Sequence, residues 1–340
     1  MSLGQYGQSR FRTLAMACLV GLAVTNVVHA EEERAASTDS RFDCARLEEW
    51  NNPASAQRWL ERSLWASQCY IFQARAVTVG DGGARTLALS HRVNDGVQQQ
   101  VVQFLDGPPV SFERQARVGR VRWAQGLDDD VAASPGAIAE HLANYYEFRL
   151  GEEERVAGRP ALRLEILPRD DQRYQHHWWL DRASGLVLKQ VVLDAGKGIL
   201  ETFLLTQLQA PERYSGYVEF DQTRMAPKRD WEAAWLPPGF IAQPVLTHSS
   251  RGTARRHQVF SDGLASVSIF VEPDTGVESR LPSGVHRLGV TSATILSFRH
   301  QQRDWQVVVL GEVPPSVLER IAHSVEFTSD PTFDDGSQDG

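Results

Sequence analysis

Between residues 70 and 209, apolar and polar side chains alternate in short runs separated by tight turn chemistry, and this pattern leaves little choice of fold. The runs 70–79, 85–93, 98–105, 110–117 and 118–124 are divided by Gly80-Asp81-Gly82-Gly83, Asn94-Asp95-Gly96 and Asp106-Gly107-Pro108-Pro109. A second series, 147–157, 161–168, 173–181, 186–194 and 199–209, is divided by Ala157-Gly158-Arg159-Pro160, Arg169-Asp170-Asp171, Arg182-Ala183-Ser184-Gly185 and Asp194-Ala195-Gly196. Connections this short join only antiparallel neighbours, so the runs predict a meander.

Two helical stretches interrupt the pattern. Asn52-Pro53 has the chemistry of a cap followed by proline in the first turn, and Trp59, Leu60, Leu64 and Trp65 then fall on one stripe, predicting a helix over 53–67. Ser134-Pro135 repeats the signature before Ile138, Leu142, Tyr145 and Tyr146, predicting a helix over 135–146. Adjacent Trp178 and Trp179 point to opposite faces of their strand, as do successive residues of Phe203-Leu204-Leu205, so both faces of the sheet need cover. One strongly curved antiparallel sheet with the helices on its concave side meets these demands.

Residues 210–230 keep no period and carry Pro211, Gly216 and Pro227, which places a linker there between a domain at 52–209 and a smaller one at 231–327. The second domain reads as α+β: strands at 255–261, 265–272, 286–299 and 304–310, then a helix opened by Pro314-Pro315 with Val317, Leu318, Ile321 and Val325 as its stripe. The acidic, small-residue tail 328–340 reads as disordered.

At the other end, Arg10 and Arg12 precede an apolar stretch from Leu14 to Val28, and Val28-His29-Ala30 precedes Glu31-Glu32-Glu33, the pattern of an export signal cleaved after Ala30. An uncleaved anchor is disfavoured, because the run is shorter than the ~20 residues a spanning helix needs. A lipoprotein signal ending at Cys18 has too little apolar sequence before it. Losing residues 1–30 removes two arginines and no acid, so the net charge moves from −8 to −10, against non-specific nucleic-acid binding. Positive charge is nearly all arginine, the lysines being Lys189, Lys197 and Lys228; the planar fork suits fixed contacts to carboxylate or phosphate, but codon bias is the better explanation. Export leaves Cys44 and Cys69 in an oxidising compartment, where a disulfide and two free thiols are both open readings.

The usual local signatures of chemistry are missing: no nucleophile elbow, zinc-protease helix, phosphate-binding glycine loop or paired-cysteine motif occurs. Asp128-Asp129-Asp130 reads as a solvated loop, since no calcium-loop spacing completes it. His176 and His177 are neighbours on a strand and face opposite sides, which argues against a shared metal ion, and His91 and His141 stand isolated. No cofactor is expected. Trp59, Trp65, Trp178 and Trp179 are candidates to line an apolar pocket between sheet and helices, although a filled core has the same residue preferences.

Five segments resemble the MucB/RseB family of periplasmic regulators of envelope-stress sigma factors of the sigma-E/AlgU type. They are VVQFLDGPPVSFERQ at 101–115, the long run from Tyr145 to Leu193, WLPPGF at 235–240, SDGLASVSIFVEP at 261–273 and VVLGEVPPSVLERIAHSVEF at 308–327. The resemblance implies a large lipoprotein-carrier-like domain, an open β-barrel with a helical lid, followed by a small α+β domain. It implies no catalysis. The expected role is to bind the periplasmic domain of a membrane-spanning anti-sigma factor and protect it from the site-one protease, with lipopolysaccharide or another acylated lipid releasing that hold. Self-association is a further expectation from the family. Departures are the extension 31–51 and the two cysteines, which do not belong to the family pattern.

Within this expectation Trp59, Trp65, Trp178 and Trp179 become the candidate lipid pocket. The stiff aromatic turn Trp235-Leu236-Pro237-Pro238-Gly239-Phe240 becomes a candidate contact for the anti-sigma factor, with a purely structural domain-capping turn as the equal alternative. Asp262-Gly263 and Gly311-Glu312 are read as backbone geometry at strand ends. A periplasmic lipid or lipoprotein carrier is the competing function, suggested by the first domain alone.

Overall fold

In a computed structural model the chain is described over residues 41–107, 110–116, 134–219, 230–243, 257–274 and 282–328. The predicted export signal 1–30, the run 118–124, the acidic loop at Asp128 and most of the linker after Glu219 lie outside these residues, as does the tail from Ser329.

The alternating runs become strands. After β1 (Arg41–Asp43) and a 3-10 turn at Cys44–Trp50 come helix α1 (Ala56–Cys69) and strands β2 (Tyr70–Gly80), β3 (Gly83–Asn94), β4 (Val97–Phe104) and β5 (Ser111–Ala116). Helix α2 (Pro135–Ala143) follows, then β6 (Tyr146–Val156), β7 (Arg159–Pro168), β8 (Gln175–Asp181), β9 (Val187–Leu193) and β10 (Ile199–Leu208). They form one sheet in the order β5-β4-β3-β2-β10-β9-β8-β7-β6, with β11 (Glu212–Arg213) on β2. Among the described residues the sheet does not close: β5 and β6 are its two edges. Strand β12 (Tyr217–Glu219) pairs with β1.

Turn chemistry acts as read. Asn94 pairs with Val97 across Asp95 and Gly96, whose φ values of 50° and 77° match the mirror-image turn that follows the right-handed strand twist. The first helix differs from expectation at its start. Asn52 sits at φ 53° and caps nothing; the cap is Ser55, whose hydroxyl accepts from the Arg58 N–H at 3.3 Å. Ser134 caps α2 as expected, accepting from the Ala137 N–H at 3.2 Å. Both helices lie against β6 and β7, where Trp59, Leu60, Ala139 and Leu142 pack with Leu162, Leu164, Ile166, Trp178 and Leu180.

The second sheet is built from β13 (Trp231–Ala233), β14 (Ile241–Ala242), β15 (His257–Ser261), β16 (Ser266–Pro273), β17 (Gly284–Leu288), β18 (Thr291–His300) and β19 (Arg303–Gly311), joined by α3 (Pro315–His323) and β20 (Val325–Phe327). Six strands run β14-β15-β16-β19-β18-β17, while β13 pairs with β20. The stretch expected as one strand over 286–299 is instead a hairpin, reversed at Gly289, whose φ is 77°. Helix α3 buries Val317, Leu318 and Ile321 on this sheet, each contributing roughly 2 kcal/mol. Val325 leaves the helical stripe because the chain has already turned at Ser324 into β20.

Candidate functional site

The two sheets meet through a buried cluster of charged and aromatic side chains. The turn after β7 begins with the Arg169 N–H donating to the Tyr145 carbonyl at 2.9 Å, and the Asp170 carboxylate accepts from the Gln172 N–H at 3.0 Å. These bonds fold the turn back and drive Arg173 inward, where its side chain is fully buried. Its Nε donates to Asp262 Oδ2 at 2.8 Å, and its terminal nitrogens donate to Asp170 and to the Pro238 carbonyl. The guanidinium carbon lies 4.9 Å from the Tyr145 ring centre, 5.7 Å from Tyr146 and 5.3 Å from Phe240, a cation seated among three π faces.

Asp262 serves both sheets. One oxygen accepts from the N–H groups of Leu264 and Ala265 at 2.9 and 2.8 Å, which shapes the turn between β15 and β16. The other takes Arg173 and also the Tyr146 hydroxyl, at 2.9 Å. Burial and the Asp262 charge push the Tyr146 phenol well above its usual value, so it stays a donor. The reading of Asp262-Gly263 as turn geometry was therefore half the story. Arg173, Tyr146 and His141 gave no signal in sequence, because nothing local marks a contact made across 89 or more residues.

The hexapeptide 235–240 forms the other part of this junction. Pro237 to Phe240 forms a turn, with the Phe240 N–H donating to the Pro237 carbonyl at 3.1 Å and Gly239 at φ 88°. A side chain at Gly239 would drive its Cβ into the Tyr145 ring, so only glycine fits. The Gly239 carbonyl accepts from His141 Nε2–H at 2.9 Å. Phe240 and Pro237 are buried, whereas Trp235 and Leu236 are half-buried against the second core. Arg320 stacks on Trp235, its guanidinium carbon 3.8 Å from the ring centre.

A smaller apolar contact joins the domains at Val290, which packs with Tyr174, Val192 and Leu200. Next to the knot, His176 is 2% exposed, and burial lowers its pKa to about 4 despite the Asp262 charge. The sign follows directly: the folded protein keeps His176 neutral while the unfolded chain takes a proton near pH 6.5, so its contribution is intact above that pH. Stability should therefore fall as pH drops from 6.5 towards 4, and His176→Gln should flatten that part of a urea-midpoint against pH curve. An unchanged slope in the variant would remove His176 as the cause.

The four tryptophans are divided among three buried clusters. Trp59 and Trp178 share the helix-covered cluster, Trp179 packs with Leu188 and Val191, and Trp65 belongs to a cluster around Cys44 and Cys69. All four are buried, and Trp59 is held between Arg62 and Arg182 at 4.9 and 5.4 Å. Register nonetheless places Trp178 in line with Gln190, Phe203 and Thr78, on one face of the sheet. Beyond the helices that face continues across β10, β2, β3 and β4 as Phe203, Phe72, Leu89, Val102 and Phe104, all half-buried. Cys44 and Cys69 are joined as a disulfide. Among the described residues no cluster of three or more histidines, cysteines or carboxylates could hold a metal ion, and no helix is long and apolar enough to cross a membrane.

An open antiparallel sheet domain, half-covered by helices and fixed to a smaller sheet domain by a buried charged knot, defines a two-domain architecture. The chain belongs to the MucB/RseB family: residues 55–229 match the MucB/RseB N-terminal domain and residues 225–326 the MucB/RseB C-terminal domain. The sigma factor AlgU regulatory protein MucB of Pseudomonas aeruginosa is 35% identical over 302 residues, 80% of this chain and 91% of that protein. The sigma-E factor regulatory protein RseB of Escherichia coli K12 is 24% identical over 301 residues, 81% of this chain and 91% of the relative. Among solved structures, the complex of Pseudomonas aeruginosa MucA and MucB matches with a TM-score of 0.61 at 31% identity, covering 81% of this chain and 99% of that one. MucB in complex with MucA(peri) gives 0.60 at 33% identity, with the same coverage.

Proposed function

We propose that this protein is an exported periplasmic regulator that binds the periplasmic segment of a membrane-spanning anti-sigma factor and shields it from regulated proteolysis, without catalysis of its own. The observation that carries this reading is the match of both domains, in order, to a family with a member solved as a complex with MucA(peri). The contact surface includes Trp235 and Leu236, the half-buried pair beside the junction, while Pro237 and Phe240 hold their turn in place. Acylated lipid, lipopolysaccharide among the candidates, acts as the antagonist. It lies along the half-buried row Phe72, Leu89, Val102, Phe104 and Phe203, with Trp178 and Trp59 where that row passes under the helices. Trp65 and Trp179 contribute packing around it.

The test is capture of the purified anti-sigma segment. A complex should form at about 10 μM protein, and Trp235→Ala should weaken it at least about tenfold, the effect of losing an interfacial aromatic anchor. Thermal melting of the variant separates this from a folding defect, because Arg320 stacks on the same ring. Added lipopolysaccharide should lower the captured fraction, and Val102→Glu should blunt that effect. Absence of a complex under these conditions rejects the regulator reading. Transfer of acylated cargo between vesicles would instead favour the carrier. The mature chain recovered from the periplasm should begin at Glu31.

A further inference from the structure

The hexapeptide 235–240 is tied to both domains, at different points. Its entry belongs to the second domain: the Ala234 N–H donates to the Ser324 carbonyl at 2.9 Å, and the Ser324 hydroxyl donates to the Trp235 carbonyl at 3.1 Å. Its last carbonyls belong to the first domain: Pro238 accepts from Arg173, and Gly239 accepts from His141 near the end of α2. His141 packs on Tyr145 with ring centres 5.1 Å apart, and the Tyr145 ring covers Gly239. Pro237 and Pro238 lie between the two sets of ties and fix the backbone there, so the segment is a short stiff strap. The two helices under which the apolar row passes are held unequally. Helix α1 has 14 residues, ends in the Cys44–Cys69 bridge, and its Arg62 donates to the Arg182 and Ala183 carbonyls at 3.2 and 2.6 Å. Helix α2 has 9 residues, too few to persist without its packing, and lies on the sheet through Ile138, Ala139 and Leu142. Ala139 and Leu142 are fully buried in the cluster that holds Trp59 and Trp178, so a chain extending from the row beneath the helices must displace one of them. Of the two, α2 is the less firmly fastened.

We infer that α2 is the lever through which a lipid on the first sheet acts on the anti-sigma contact, and that His141 is the positioning residue that carries its movement through the Gly239 carbonyl to Trp235. This rests on the regulator reading and adds the route. A ligand moves an equilibrium only by binding one state better than the other. Here an acyl chain and the apolar side of α2 compete for the same surface around Trp178, which supplies that difference. The strap turns it into a new setting of Trp235, because the proline pair between Gly239 and Trp235 has little freedom to absorb the shift. Coupling of this kind is reciprocal: a partner that holds Trp235 must also hold α2 against the sheet.

The experiment is amide hydrogen exchange of the purified protein, alone, with the anti-sigma segment, and with added lipopolysaccharide, alongside the capture assay. Binding of the segment should slow exchange across 135–143 by about fivefold, and lipopolysaccharide should speed it by a similar factor. His141→Leu should cut the link. Exchange of α2 should then ignore the segment, and lipopolysaccharide, still bound by calorimetry, should need about tenfold more to halve the captured fraction. His141→Gln keeps an N–H donor at similar reach and should restore both responses, which a histidine that merely fills space would not require. Ile138→Ala thins the apolar side of α2 without touching the strap, and should lower the lipopolysaccharide needed for release by about threefold; it decides the matter if His141→Leu melts far below the parent. Exchange of α2 indifferent to the segment in the parent would overturn the lever. So would release of His141→Leu at the parent's lipopolysaccharide concentration, or of Ile138→Ala at an unchanged one. Capture that lipopolysaccharide fails to reverse rejects the lipid antagonist and the lever with it, whereas no capture at all rejects the regulator reading itself.

Discussion

Arg173→Ala will cost the folded protein about 3–5 kcal/mol, the range for removing one partner of a buried ion pair. The size comes from what is left behind rather than from what is lost. Asp262 Oδ2 would keep only the Tyr146 hydroxyl, in a site with no exposure on either partner, while the Pro238 carbonyl and Asp170 would lose their donor. Asp262→Asn makes the same point from the other side: its remaining oxygen still holds the turn to Leu264 and Ala265, but the buried Arg173 then keeps only the partly exposed Asp170 as its anion. The double variant Arg173→Met with Asp262→Asn should therefore be less damaging than the two losses added together, with a coupling of about 2 kcal/mol. Urea unfolding monitored by tryptophan fluorescence provides the measurement. Single losses below about 1 kcal/mol would show that water reaches the knot and that the pair is worth no more than a surface bridge. Because this knot carries most polar contact between the sheets, its loss should also split one unfolding transition into two.

How much of this was legible beforehand follows from the range over which each interaction acts. Strand runs and their turns were readable because alternation and turn residues are local, and Asn94-Asp95-Gly96 turned where its chemistry required. The mistaken cap at Asn52 and the missed reversal at Gly289 are also local, but each offered two competing signals. Ser55 stood three residues beyond Asn52 as an equally good cap, and the apolar pattern ran on through Val290 because that residue is buried against the first domain. Family resemblance supplied what periodicity could not, the pairing of the two domains in one regulator. Neither route located the knot. An arginine in a turn rich in aspartate reads as solvent-exposed, and only the folded chain brings it to an aspartate 89 positions away. The tryptophans are a different case: their type points to burial, but type alone cannot say that three separate clusters share them.

The second large effect lies in the unfolded chain. Cys44 and Cys69 stand 25 residues apart with Cα atoms 5.5 Å from each other, so the bridge closes a loop that would otherwise be free when the protein unfolds. The chain-entropy model values that restriction at about 3 kcal/mol. In the folded state the bridge fastens the Cys44–Trp50 turn to the last residue of α1, over Leu47, Trp65, Val93 and Val218. It also anchors β1, whose following residue Cys44 donates its N–H to the Gly216 carbonyl at 3.3 Å. Cys44→Ala with Cys69→Ala is the suitable pair, because serine would leave two buried hydroxyls in search of partners. The double variant should lower the urea stability by about 3 kcal/mol and open residues 41–50 to protease first. Binding of the anti-sigma segment should survive below the new melting point, since this cluster shares no residue with the Arg173 knot. Two free thiols in unreduced protein from the periplasm, or a stability loss under about 1 kcal/mol, would show instead that packing alone holds this end of the domain.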